Sequence, residues 1–328
     1  MSSICGAGVK KPKINLWVYN HPFFGISDQV AFFAAACEQN GYEVAVGDKP
    51  RHDALNVVIE NFEPKTRNTL AEFCRNSQSR VAVIMTEHID FMDPDIFIHG
   101  DPLWQQNDYM HPATQISRLR NLISLQPYLR CLFVLGDLPK LNNIDGMILG
   151  INVYNIPFPT IEMINTNDTT PKGELIFTGF YTDYRRSVLA GLSASGLAVH
   201  SPPGLVSSEA RDKMNGQAKL ALNIPQRKNW RWLSSMRILA ALRCGRATVS
   251  LGTKDISEMA KCTYQIDLDK DDWKDVLKSH VGNWRGLYEE AHSNYTAMAD
   301  DFARRHPFPH DIMEFWALTN RLPEDAFA

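Results

Sequence analysis

The chain has 328 residues, 44% of them hydrophobic and 22% charged, with a formal net charge of −3. That length points to two domains of a globular protein, and the charge balance leaves no overall basic field for nucleic acid. No apolar run approaches the roughly 20 residues that span a bilayer, and six cysteines without a C-x-x-C pair fit neither a disulfide scaffold nor a zinc knuckle.

The N-terminal MSSICGAGVKKPK lacks an apolar export core, so a cytoplasmic protein is expected, with peripheral membrane contact left open. Residues 14–19 (INLWVY) form an apolar run with aromatic and β-branched bias, which predicts a buried strand. Asn20 to Gly25 break it. Ser27 or Asp28 then caps a helix to about residue 39. Strands are predicted at 42–46, 55–59, 80–85 and 131–135, and a further one at 147–153. Helices are predicted at 64–75, opened by Pro64, and at 112–125. Residues 90–110, rich in Asp, Pro and aromatics, read as an irregular excursion, and its aromatic part from Phe91 to Tyr109 as a candidate lid over an acceptor.

Residues 155–173 hold three prolines and little periodicity and read as a linker. The alternation then restarts, with strands at 174–178 and 198–200 and helices at 184–195 and 207–216. Farther on, the pattern predicts a short helix at 256–260, a strand at 263–267, helices at 271–280 and 284–305, a hinge at 306–310 and a last helix at 311–320. Strands alternating with helices imply an α/β protein with mostly parallel sheets and a ligand crevice beyond their carboxyl ends. The expected division is 1–160, 161–305 and a terminal segment, 306–328, that crosses back onto the first domain.

The stretch 220–250 carries the densest signal. An apolar strand ends at Asn223-Ile224-Pro225. A polar loop follows with Gln226, Arg227, Lys228, Asn229 and Arg231. A helix then spans 234–243, Cys244-Gly245 stops it, and an apolar strand spans 246–251. Cations and amides around a helix N-terminus suit a phosphate or pyrophosphate, because the exposed N–H groups and the helix dipole favour an anion. The plainer alternative is one more strand-helix-strand unit with a solvated basic loop.

Leu175-Ile176-Phe177-Thr178-Gly179 with Arg185-Arg186, then Leu222-Asn223, then Arg237 followed by Cys244-Gly245, resembles the C-terminal half of GT-B glycosyltransferases. The nearest type is the group related to the spore-maturation protein CgeB and to glycosyltransferase families 1 and 4. The resemblance covers about residues 174–270. It implies two Rossmann-like domains facing a central cleft, a nucleotide-sugar donor on the C-terminal domain and a glycan, lipid or protein acceptor on the N-terminal one. It further implies that Gly179 and Tyr181 lie near the donor phosphates, that Arg185, Arg227 and Arg237 neutralise the leaving diphosphate, and that Asn223, Gln226 and Ser235 complete the donor site. Such enzymes use cations and a helix dipole where others use a metal, so neither metal nor cofactor is expected. One departure stands out: the family has Glu against the donor ribose where this chain has Ala240. That departure keeps open a non-catalytic nucleotide- or sugar-binding protein, and the shared two-domain architecture keeps open a nucleotide-sugar epimerase.

An inverting transfer needs a base for the acceptor hydroxyl, whereas a retaining one needs none, so the stereochemistry stays open here. His21, Asp28, Glu87 and His88 fall at predicted strand ends or helix starts facing the crevice, and are the candidates. Each has a plainer reading: a turn residue before Pro22 for His21, a helix cap for Asp28, a solvated loop for Glu87 and His88. Asp93-Pro94-Asp95 mimics the metal-binding D-x-D of other glycosyltransferases but reads as a turn. His99 and His111 have no ligand spacing. Trp230 and Trp232, flanking Arg231, suit either stacking on a ligand or packing between domains.

Overall fold

A computed structural model describes residues 11–21, 23–92, 95–102, 112–144, 150–164 and 170–320. The N-terminal domain runs β1 (Ile14–Trp17), α1 (Phe23–Gln39), β2 (Val44–Gly47), β3 (Leu55–Ile59), α2 (Pro64–Ser77), β4 (Val81–Ile84), β5 (Ile89–Met92), β6 (Asp95–Ile98), β7 (Asp101–Pro102), α3 (Pro112–Ser124), β8 (Leu129–Leu135), β9 (Leu141–Asn142) and β10 (Val153–Ile156). Its main sheet has the order β10-β8-β4-β3-β1-β2, and every pairing is parallel. The central strands β1, β3 and β4 are buried at every position, while the edge strand β2 is not. That pattern follows from helices covering both faces of a parallel sheet.

The C-terminal domain runs β11 (Gly173–Ile176), α4 (Asp183–Ala194), β12 (Val199–His200), α5 (Ser208–Gln217), β13 (Ala218–Asn223), α6 (Ser235–Leu242), β14 (Ala247–Leu251), β15 (Tyr264–Ile266), α7 (Trp273–Gly282), α8 (Trp284–Arg305) and α9 (His310–Thr319). Its sheet is also parallel throughout, in the order β12-β11-β13-β14-β15. Thus the last strand of the first sheet ends at Ile156, and the first strand of the second begins at Gly173.

Three expectations need correction. The first helix begins at Phe23 rather than at Ser27 or Asp28, so Asp28 lies inside the helix and caps nothing. Gly25, taken as part of the break, is accommodated within the first turn. The stretch after residue 88 is not irregular where it is described. β5, β6 and β7 form an antiparallel meander, with β9 added parallel to β5. The turn between β6 and β7 is His99-Gly100, with φ of 53° and 83°. Two positive φ values make it a primed turn, whose twist matches that of the strands it joins. Finally, the strand expected at 147–153 is instead Val153–Ile156, so Asn155 and Ile156 belong to a strand and not to the linker. Asp93, Pro94, His111 and most of the expected lid lie outside the described residues.

Two features fix the domains against each other behind the cleft. Phe158 packs its ring edge-on against Tyr295 and Phe302 of α8, with centroids 6.2 and 5.0 Å apart. Gly136, at φ 67°, makes room for it, since a Cβ there would fall 2.2 Å from the Phe158 ring. Then α9 returns to the first domain. Trp316 is fully buried and its indole N–H donates to the Arg80 carbonyl at 3.0 Å. Asn320 brackets the same residue, donating to its carbonyl at 3.2 Å and accepting from its N–H at 3.1 Å. Among the described residues no helix is long and apolar enough to cross a membrane.

Candidate active site in the interdomain cleft

The carboxyl ends of both sheets open onto one cleft of about 590 Å³ lined by both domains. Its N-terminal wall starts from three strand ends. Beyond β1, His21 Nε2 lies 2.5 Å from the Glu60 carbonyl at the end of β3. A carbonyl only accepts, so Nε2 carries the proton, and the neutral ring keeps its lone pair on Nδ1. Burial pushes the His21 pKa down, with the Arg118 charge adding to it, so the ring is neutral at pH 7.

Beyond β4 come Thr86, Glu87 and His88. The Glu60 carboxyl is buried and accepts from the backbone N–H groups of Thr86 at 3.0 Å and Glu87 at 3.3 Å, which fixes this turn. Burial, followed by the Glu87 charge, pushes the Glu60 pKa up. Glu87 behaves oppositely. Burial works to raise it, but the His99 hydrogen bond at 2.6 Å, together with the charges of His99 and Arg118, outweighs burial and holds it at about 2. His99 reaches Glu87 because the primed turn of the small sheet folds it back; its N–H donates to the His88 carbonyl at 2.9 Å. The Nδ1 of His88 accepts from the Lys140 backbone N–H at 3.1 Å. Burial and then the His99 charge push His88 down to about 3.

The four candidate bases are therefore unequal. The basic nitrogen of His88 is committed to Lys140. Glu87 is ionised and engaged by His99, with Arg118 at 3.6 Å. Asp28 lines the cleft but is ion-paired with Arg211 of α5, beside a Ser27–Ser208 hydroxyl contact of 2.6 Å that also joins the domains. His21 is the one of the four that is neutral, oriented by a carbonyl and left with a basic lone pair.

The C-terminal wall is built around α6. Ser234 stands at its N-cap without making a side-chain cap, and residues 234 to 237 all line the cleft. Ser235 is buried and its Oγ has no hydrogen-bond partner. The Arg237 guanidinium donates to the Thr178 carbonyl and lies over the Phe177 ring at 5.1 Å, yet its Nε is unpartnered and no carboxylate pairs with it among the described residues. Burial, then the Arg211 charge, pushes Arg237 down to about 10, so it stays cationic at pH 7. Gly179 permits this approach: a Cβ there would lie 2.8 Å from Arg237 Nη2. Asn223 is buried and donates to Ser250 Oγ at 3.2 Å, while Gln226 Oε1 is buried without a partner. Both line the cleft.

Two expected donor residues point elsewhere. The Tyr181 hydroxyl contacts Ser201 Oγ and donates to the Pro202 carbonyl at 2.9 Å, and this side chain is not part of the cleft wall. Arg227 sits 3.7 Å from Asp101 and over Trp230, away from the cleft. Arg185 does line the cleft, but it donates to the Ile224 carbonyl at 2.8 and 2.7 Å and to the Phe180 carbonyl at 2.9 Å. It braces the loops that follow β11 and β13. Ala240 is buried and its carbonyl faces Asn215 of α5, not the cleft.

Sequence reasoning gave no site role to Asp101, Arg118 or Arg211, quoted Thr178 only within the resemblance motif, and set His99 aside as a metal ligand. His99 had a local signal, the His-Gly pair between alternating residues. The tryptophans pack between the domains and also line the cleft. Trp230 stacks on His99 at 4.3 Å and donates to Asp101 at 2.7 Å, while Trp232 stacks on His88 at 4.4 Å. The loop after β13 is thereby pinned to the opposite domain.

No protein-family model matches the chain, and no curated protein matches it in sequence. Among solved structures it is similar to a DNA-modifying β-glucosyltransferase studied with and without uridine diphosphoglucose. The TM-score is 0.51 and the identity 11%, over 94% of this chain and 100% of that one. The fold is GT-B. Two further GT-B likenesses are looser. Sucrose-phosphate synthase from Thermosynechococcus elongatus gives a TM-score of 0.49 at 8% identity, over 95% of this chain and 98% of that one. An α1,3-fucosyltransferase gives 0.44 at 9%, over 100% and 94%. At such identities the GT-B likeness is one of fold alone, and the chemistry has to come from the cleft itself.

Proposed function

We propose that the chain is a metal-independent, inverting glycosyltransferase that moves a sugar from a nucleotide-sugar donor to an acceptor hydroxyl. The observation that carries the reading is the cleft's polarity. A buried cation without a carboxylate partner among the described residues sits at an uncapped helix N-terminus on one wall, and a neutral histidine with a basic Nδ1 sits on the other. Arg237, Ser235 Oγ and the first N–H groups of α6 receive the diphosphate. Hydrogen bonds of this kind strengthen as the leaving oxygen gains charge. His21 Nδ1 takes the acceptor proton as the acceptor oxygen bonds to the anomeric carbon and the bond to the diphosphate breaks, its electron pair leaving with the diphosphate. Gln226 Oε1 is available to accept from a donor hydroxyl or base N–H. Free buried cysteines at 37, 74, 131, 244 and 262 support a reducing, cytoplasmic setting.

The test is thermal stability against UDP, GDP, dTDP, ADP, CMP and their common sugars. A nucleotide at 100 times its dissociation constant adds about 2.7 kcal/mol, which moves the melting point by several degrees. One nucleotide class is expected to stabilise the wild type, and Arg237→Met is expected to weaken it about 10- to 100-fold. Stabilisation that survives unchanged in Arg237→Met would remove the phosphate site from α6, and no shift with any nucleotide would remove the reading.

A further inference from the structure

We propose that the acceptor carries an oxyanion, a carboxylate or a phosphate monoester, and that Arg118 binds it beside His21. This rests on the reading of the N-terminal wall as the acceptor side. Arg118 projects from α3 into the cleft, with its side chain 15% exposed. A guanidinium offers five N–H donors in a planar fork. Here it makes no hydrogen bond among the described residues. Its Nη1 stands 3.6 Å from Glu87 Oε1, and its Nε is buried without a partner. The Glu87 contact is an ion pair too long for a hydrogen bond, and the other oxygen of that carboxylate is held by His99 at 2.6 Å, so the N–H donors of the fork are left without an acceptor among the described residues. Glu60 is the other buried carboxyl at these strand ends, and its Oε2 is taken up by Thr86 and Glu87. A buried polar group usually finds its partners, and an unpaired donor costs free energy. A fork left open on a cleft wall therefore fits a partner that arrives with the ligand. Carboxylate and phosphate oxygens match its geometry bidentately. Arg118 also lies close enough to His21 for its charge to act on the imidazole. An anionic group on Arg118 would therefore set a nearby hydroxyl of the same acceptor against Nδ1.

The donor wall also attracts anions, so the test is made in the Arg237→Met background. Inorganic phosphate and acetate are titrated into Arg237→Met, Arg237→Met/Arg118→Gln and Arg237→Met/Arg118→Lys, with binding read by calorimetry and by melting point. Saturable binding of at least one probe is expected in Arg237→Met, weakened about tenfold or more by Arg118→Gln and less by Arg118→Lys, which keeps the charge but not the fork. The tighter probe identifies phosphate monoester or carboxylate as the source. No saturable binding in Arg237→Met, or equal binding in the Arg118→Gln variant, overturns the inference. Arg118→Lys supplies a folded comparison should the glutamine variant be unstable. Nucleotide stabilisation of the wild type is read separately. If it holds while the Arg118 difference is missing, only the acceptor assignment falls. If it fails, the transferase reading falls regardless of Arg118.

Discussion

The two walls of the cleft treat polar groups in opposite ways. On the N-terminal wall Glu87 is engaged by His99, His88 by Lys140, Glu60 by two backbone N–H groups and His21 by a carbonyl, and the exception is Arg118, ion-paired with Glu87 at 3.6 Å but with its Nε buried and unpartnered. On the C-terminal wall Ser235 Oγ, Gln226 Oε1 and Arg237 Nε are buried without partners. Each unpaired buried group costs about 1–3 kcal/mol. A wall that moves a proton needs its groups held in place before the substrate arrives. A wall that binds an anion gains most when its donors have no competing internal acceptor. The comparison also explains the pinned loop. Trp230 and Trp232 reach from the unsatisfied wall to stack on His99 and His88 of the satisfied one, so each wall orients part of the other.

The largest effect that would break this contrast is at His21. His21→Asn is expected to lower kcat about a hundred- to ten-thousand-fold, the usual range for losing a general base, while nucleotide stabilisation stays unchanged. Wild-type turnover in that variant would move the proton-transfer role to another residue. The spacing of the walls is the next point of attack. Trp316→Ala, or truncation after Arg305, removes the α9 anchor on Arg80. The substitution is expected to cost about 3–5 kcal/mol, as for other fully buried aromatics. A normal melt of either protein would mean that α9 does not brace the first domain.

The smallest effect sharpens the contrast through pH. Glu87 is held at about 2 against an ordinary 4.5, so the stability it contributes is complete above pH 4.5 and is lost as pH falls toward 2. His88 is held at about 3 against 6.5. Below pH 6.5 the unfolded chain takes a proton that the folded one refuses, so stability falls from 6.5 toward 3. Melting points across this range should therefore decline in two overlapping stages. His88→Asn is expected to flatten the upper stage and Glu87→Gln the lower, with no contribution from Arg237, which titrates near 10. An unchanged slope in both variants would show that the N-terminal wall is not electrostatically coupled.

Much of the fold was legible because its periodicities are local. The apolar runs at 55–59 and 247–251 have the length and β-branching of buried parallel strands, and both are strands. The helix 284–305 carried a strong enough pattern to give its boundaries. Where short pieces depend on their partners, the sequence said less. β5, β6 and β7 are two to four residues each and stand only because they pair with one another, so the stretch looked irregular. The start of α1 at Phe23 is hidden in the sequence because Gly25 resembles a breaker, although a glycine in a first turn costs only about 1 kcal/mol.

The site divides along the same line. Local spacing along the chain is enough to show the two alternating halves, the strand-loop-helix around Arg237, and the polar residues at strand ends that face a crevice. These follow from spacing along one chain. Which of those polar groups remain available depends on contacts made when the chain folds. Arg185 donates to two carbonyls, Arg227 turns to Asp101 and Trp230, Tyr181 contacts Ser201 and Pro202, and Asp28 pairs with Arg211 across the domains. Partners such as Asp28 and Arg211 lie far apart along the chain, and a guanidinium or carboxylate is defined chemically by its partner. No local pattern can show whether it has one.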